Sequence, residues 1–341
     1  MRYVSLFSGI EAATVAWEPL GWEPVCFAES DGFPGAVLAE RYPDVPNVGD
    51  VTKMNWRRYR DKVDLVVGGS PCQSFSIAGK REGLQGESGL MFEYIRAVRE
   101  IRPRWFLWEN VPGALSSENG EAFRRLLSEM DKLGYGLAWR ILDAQFFGVA
   151  QRRRRLFLVG HLGACPPIGV LIERESMRGD LGSSAEKRAS LAEEAGRGPR
   201  GAGLGCRRGA GAGGVGAGPG RPPAPTAGRH GACTLLVRCG CAGGGKGALV
   251  SDEVSLTLST GNTQTLFSGE GGGMAVRRLT PRECERLQGL PDDWTRIPYR
   301  GKPADGCPDG PRYRAIGNSM AVPVMRWIGE RMAMAEAGGI P

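Results

Sequence analysis

Leu65-Val66-Val67-Gly68-Gly69-Ser70-Pro71-Cys72-Gln73-Ser74-Phe75-Ser76 is a short apolar run that empties into glycines, hydroxyls and a cysteine. A run of that length, closed by turn residues, reads as a buried strand. Similar runs recur at residues 3–7, 24–28, 105–108 and 156–159. Helical patterns separate them at 11–20, 90–101 and 121–133, the last stopped by Gly134 in a C-cap position. Strands alternating with helices over the first 160 residues imply an α/β fold, a doubly wound and mostly parallel sheet with crossover helices. Ligands of such sheets bind beyond the C-terminal ends of the strands, so the loops after each run are where chemistry belongs.

Those loops carry the right groups. Cys72 stands where a nucleophile would, although taken alone it also reads as a buried thiol at a strand end. One strand later, Glu109 in Trp108-Glu109-Asn110-Val111 projects into the same crevice. The chain has two histidines, His161 and His230, and neither is near, so Cys–His acyl chemistry is excluded while a thiolate paired with a carboxyl is not. Phe7-Ser8-Gly9-Ile10 leaves the first strand, Glu29 ends the second about 20 residues on, and Asp50 reads as the end of a third. Acids at successive strand ends after a glycine turn suggest a nucleoside ligand, and the absence of GxGxxG argues against a dinucleotide. Gln151-Arg152-Arg153-Arg154-Arg155 runs straight into a core strand, where Arg153 and Arg155 point the same way.

Beyond residue 160 the composition changes. Of 53 glycines, 28 fall in residues 161–276, and Phe267 is the one aromatic residue between Leu158 and Asp293. Such a segment buries little surface, so a uniform globular body is excluded. Residues 196–247 hold eight basic side chains and no acid, which suits a polyanion as well as it suits a solvated linker. Strand-like alternation returns at 234–237 and 254–260. Regular patterning returns over 277–289, where a helix is expected to start near Thr280 as cap, with Pro281 at its first position and Glu283 three residues on, and a closing amphipathic helix is expected over 322–334. Nine cysteines without CxxC spacing fit free thiols and no metal site. With no long apolar stretch and no signal pattern, the expectation is a soluble cytoplasmic protein that meets no membrane.

The ordered blocks Phe-Ser-Gly, Pro-Cys-Gln, Glu-Asn-Val, Gln-x-Arg-x-Arg, Leu-Thr-x-Arg-Glu-Cys-x-Arg-Leu-Gln-Gly at 279–289 and Gly317-Asn318-Ser319 resemble the DNA (cytosine-5)-methyltransferases of bacteria and phages, over residues 1–160 and 277–330. The resemblance implies the S-adenosylmethionine-dependent methyltransferase fold with an inserted small target-recognition domain. It implies that the Cys72 thiolate adds to carbon 6 of a flipped-out cytosine, while Glu109 holds the base edge, Arg155 the ring oxygen, and Arg153 sits beside the catalytic loop. S-adenosyl-L-methionine would lie on Phe7, Gly9, Glu29, Asp50, Val51, Pro71, Leu90, Asn318 and Ser319, with no metal. Gln73, Ser74, Ser76 and Gln151 would face double-stranded DNA, and residues 74–88 would form a mobile loop. Glu11 departs from the family's usual second glycine, and Ser30 from the aromatic that often follows the ribose acid. The expected organisation is a catalytic domain of residues 1–160 plus 305–341 and a recognition domain of 161–304, with 196–231 disordered. The enzyme is expected to act as a monomer in the cytoplasm of a bacterium or phage-infected host, either as a solitary enzyme or with a separately acting restriction endonuclease. The competing readings are a tRNA cytosine-5 methyltransferase and a catalytically silent DNA-binding protein.

Overall fold

The computed structural model describes residues 1–71, 88–163, 168–172, 233–236, 249–251, 255–258, 264–270 and 273–339. Six strands, β1 (Arg2–Leu6), β2 (Glu23–Ala28), β3 (Leu65–Gly68), β4 (Trp105–Asn110), β5 (Tyr135–Asp143) and β6 (Arg154–Leu162), form one sheet in the order β2-β1-β3-β4-β6-β5. The first four are parallel, whereas β6 runs antiparallel to both β4 and β5. The strand read at 156–159 is thus the antiparallel β6 of a mostly parallel sheet. Only ten residues separate Asp143 from Arg154, too few for a crossover helix, so the chain turns back on itself.

Side chains alternate between the two faces. Tyr3, Leu65, Val67, Trp105, Leu107, Phe157 and Val159 enter one cluster, and Val4, Leu6, Val66, Phe106, Trp108, Leu156 and Leu158 enter the other. Helices α1 (Ala12–Trp17) and α2 (Gly32–Arg41) cover the first face, and α3 (Ser88–Ile101) and α4 (Glu121–Lys132) the second. The sheet is therefore doubly wound. Opposite Phe106, Gly160 carries no side chain for a steric reason: a Cβ there would lie 2.0 Å from the Phe106 ring.

The chain returns to this body through α5 (Pro281–Gln288), α6 (Asp309–Asn318) and α7 (Val322–Glu336). α5 starts as the sequence predicts, with Thr280 and Glu283 closing a capping box and Pro281 in the first turn. Leu279, Cys284, Leu290 and Ile297 are buried in the same cluster as Trp17. α7 lies on α1, where the indole Nε1 of Trp17 donates to the Met325 carbonyl at 2.7 Å.

A second sheet of β7 (Cys233–Leu236), β8 (Leu249–Ser251), β9 (Gln264–Glu270) and β10 (Gly273–Arg278) is antiparallel, in the order β10-β9-β7-β8. The strand expected at 254–260 is replaced, over its described part, by a single bridge. Ser255 exchanges backbone bonds with Ala150 and Arg152, and Leu258 N–H donates to Gln151 Oε1, so these groups are spent on the Gln151 loop. Residues 196–231 lie outside the described residues. Among the described residues no helix is long and apolar enough to cross a membrane.

Candidate active site

The C-terminal ends of β1, β3 and β4 open on a cleft walled by Phe7, Gly9, Glu11, Gly69, Glu109 and the Asn318–Ser319–Met320 return. The β1 turn is tight, with Phe7, Gly9 and Glu11 at φ of 53°, 56° and 63°. Ser8 fixes it, its Oγ donating to the Ser5 carbonyl at 2.9 Å and accepting from Ala28 N–H at 3.1 Å. Glu29, just past β2, accepts from Gly9 N–H at 2.8 Å and Asp31 N–H at 2.7 Å. Burial raises its carboxyl, and these two bonds oppose the shift. The two strand ends, 20 residues apart in sequence, are thus joined directly.

Asp50 does not end a strand. It caps the 3-10 turn Val51–Lys53, accepting from the N–H and Oγ of Thr52 at 2.9 and 2.8 Å, and these bonds lower its carboxyl. Val51 is buried in the second cluster, and Phe7 and Leu90 are partly buried hydrophobic residues packed against that cluster, so the three expected adenine contacts belong to the same face of the sheet.

Glu109, near the end of β4, is buried, and its Oε1 lies 3.2 Å from Arg155 Nε. Gly69 passes under it, where a Cβ would lie 2.9 Å from both the Glu109 carbonyl and Oε2. Arg152 and Arg154 are exposed while Arg153 is buried and Arg155 largely so, which is the alternation expected of this run. Arg153 does not lie free in the crevice. Its Nη2 donates to the carbonyls of Gly317 (3.1 Å) and Ser319 (2.6 Å), its Nε and Nη1 have no hydrogen-bond partner among the described residues, and burial with Arg155 nearby lowers its pKa to about 9.

Gln151 is expected on DNA, yet its side chain is wholly buried. Its amide donates to the Leu287 carbonyl (2.9 Å) and Gln288 Oε1 (3.3 Å) and accepts from Leu258 N–H, so every polar atom is spent inside the protein. Gln288 in turn donates to the Ile316 carbonyl at 2.9 Å. Sequence reading missed Gln288 as a site residue, and missed Asn110, whose Nδ2 donates to the Ser70 carbonyl at 3.1 Å while Trp108 Nε1 donates to Ser70 Oγ. Both are amides inside the motif blocks, the one available signal. Ser70 is thereby clamped two residues before Cys72. Pro71 is exposed at the rim, and Cys72, Gln73, Ser74 and Ser76 lie outside the described residues, as does nearly all of the 74–88 loop. Among the described residues no three His, Cys, Asp or Glu side chains gather as a metal would require.

Residues 1–174 and 244–334 match the model of the C-5 cytosine-specific DNA methylase family. Over 98% of its length the chain is 32% identical to a protein of Escherichia phage P1 named DNA N-6-adenine-methyltransferase, of which it covers 61%, less than two thirds. It is 31% identical, again over 98% of its length, to Type II methyltransferase M2.BsuMI of Bacillus subtilis (strain 168), covering 75% of that protein. Among solved structures, the Dnmt2 methyltransferase of S. pombe superposes with a TM-score of 0.63 at 16% identity, over 99% of each chain, which bears on the fold alone.

Proposed function

The chain belongs to the C-5 cytosine-specific DNA methylase family, and from that premise we propose that it methylates carbon 5 of cytosine at a short specific site in double-stranded DNA, with S-adenosyl-L-methionine as methyl donor. The observation that carries the proposal is the Glu109–Arg155 pair in the cleft wall, with Gly69 and the clamped Ser70 leading the chain to Cys72. In this reading the Cys72 thiolate forms a bond to carbon 6, and the electron pair of the carbon 5–carbon 6 double bond moves to make carbon 5 nucleophilic. Glu109 holds the ring nitrogen and amino edge and Arg155 the ring oxygen, offsetting the charge that the thiolate brings. After methylation, loss of the carbon 5 proton re-forms the double bond and expels Cys72.

The lining suits S-adenosylmethionine, which supplies an electrophilic methyl group when bound. Phe7 in the wall gives adenine an apolar surface, with Val51 and Leu90 in the cluster that Phe7 packs against. Asn318 and Ser319 give polar atoms to the methionine end, and Glu29, bonded to Gly9 of the wall, offers a carboxylate to the ribose hydroxyls. The recognition domain is the insertion that carries β7–β10, and the cytoplasm and a companion restriction endonuclease belong to the same reading.

Labelled methyl transfer to duplex DNA, followed by nucleoside analysis, tests the reading. 5-Methylcytosine in DNA is expected. Label in N6-methyladenine or in tRNA would replace it, and none at all would favour the silent DNA-binding protein. Duplexes containing 5-fluorocytosine should trap the protein covalently, and Cys72→Ser should abolish both trapping and turnover.

A further inference from the structure

Glu11 occupies a backbone conformation, φ 63°, that glycine adopts without strain. It stays there as a wholly buried carboxylate in the cleft wall, bonded to Ser5 Oγ (2.9 Å) and to Thr14 N–H and Oγ1 (3.3 and 3.1 Å). None of these partners is charged. A buried carboxylate without a cation raises the question of what cation it serves. The proposed cofactor carries one that its product lacks: S-adenosylmethionine has a sulfonium, S-adenosylhomocysteine a neutral thioether, and the two are otherwise alike but for the methyl group.

Resting on the cofactor reading above, we propose that Glu11 selects by charge, favouring the sulfonium cofactor over the neutral product and so easing product release. Among the described residues, the other titratable groups that bear on Glu11 are Tyr3 on β1, Tyr42 after α2 and Glu29 after β2, with Glu109 across the cleft, and none of them carries a positive charge. Burial raises the Glu11 carboxyl to about 7, so its charge is present above neutrality and lost below it.

Calorimetric binding of S-adenosylmethionine and S-adenosylhomocysteine to the intact protein, without DNA, tests this. Wild type should prefer the sulfonium by about tenfold at pH 8.5, a modest fraction of the attraction between unit charges in a dry site, and lose most of that preference at pH 5.5. Glu11→Gln keeps the shape and can keep the Thr14 bond, so it should bind both ligands with nearly equal affinity at either pH. If Glu11→Gln weakens both ligands alike and keeps the wild-type ratio, Glu11 is only a helix cap and the assignment fails. Should that variant not fold, a wild-type ratio that stays constant from pH 5.5 to 8.5 overturns it as well. Binding of neither ligand by the wild type would instead overturn the cofactor reading itself.

Discussion

Glu11 also leaves a mark on stability that is separate from binding. Its carboxyl ionises near 4.5 in an unfolded chain and near 7 in the folded one. Between those values the folded state holds the proton more tightly, so the contribution of Glu11 to stability is greatest below pH 4.5 and falls as pH rises through 7, by up to ~3 kcal/mol. Glu11→Gln should therefore melt above the wild type at pH 8 and lose the advantage at pH 5, which thermal scans at the two pH values would read. Arg153 makes the opposite case. Its Nη2 holds the Gly317 and Ser319 carbonyls beside the cleft, so Arg153→Leu should weaken S-adenosylmethionine binding by more than tenfold while leaving the sheet folded. A melt close to the wild type's with unchanged affinity would refute that role. At this scale the sequence named Glu29, Glu109, Arg155 and Arg153 through strand ends and motif order. It did not reveal that Gln151 turns inward, because a buried and an exposed amide look alike until their partners, Leu287 and Gln288, are placed.

Elements with local signals were readable, and those set by distant partners were not. Thr280, Pro281 and Glu283 announce the start of α5 within four residues, and the capping box forms. Thr280→Ala should cost about 1 kcal/mol, measured as a lower denaturant midpoint at unchanged slope. β5 gives no such signal, since most of its residues are neither fully buried nor strictly alternating. The reversal of β6 matters more. Were β6 parallel, its arginine-bearing start would lie at the far edge of the sheet. Antiparallel pairing sets Leu156 opposite Asn110, which brings Arg155 beside Glu109. The close Phe106–Gly160 contact lies along the same pairing, so Gly160→Ala should destabilise by roughly 1–3 kcal/mol, read by the same denaturant method.

Across the whole molecule, one polar chain ties the parts together. Gln151 reaches Gln288, Gln288 reaches Ile316, and Arg153 reaches Ser319, linking the arginine run, α5 and the cleft return. The block order in the sequence foretold that these segments meet, and Leu279, Leu290 and Ile297 are buried in the same cluster as Tyr3 and Trp105 of the main sheet. Residues 196–231 carry six arginines and no acid. Deleting them should leave S-adenosylmethionine affinity unchanged and flatten the salt dependence of DNA binding, by up to about 0.9 in log–log slope for each phosphate that is no longer neutralised. A filter-binding series across salt would show it, and an unchanged slope would remove that segment from the DNA interface.

The packing of α7 on α1 also sets a schedule for synthesis. Trp17 finds its acceptor in Met325, 308 residues later, an interval of roughly 15–60 s at 5–20 residues per second on a ribosome. Until then Trp17 has Tyr3 and Trp22 as ring neighbours but no acceptor for its indole, and the cleft has no Asn318, Ser319 or Met320 to complete its wall. A chain made only as far as β10 therefore lacks part of the cleft wall and the Met325 acceptor of Trp17.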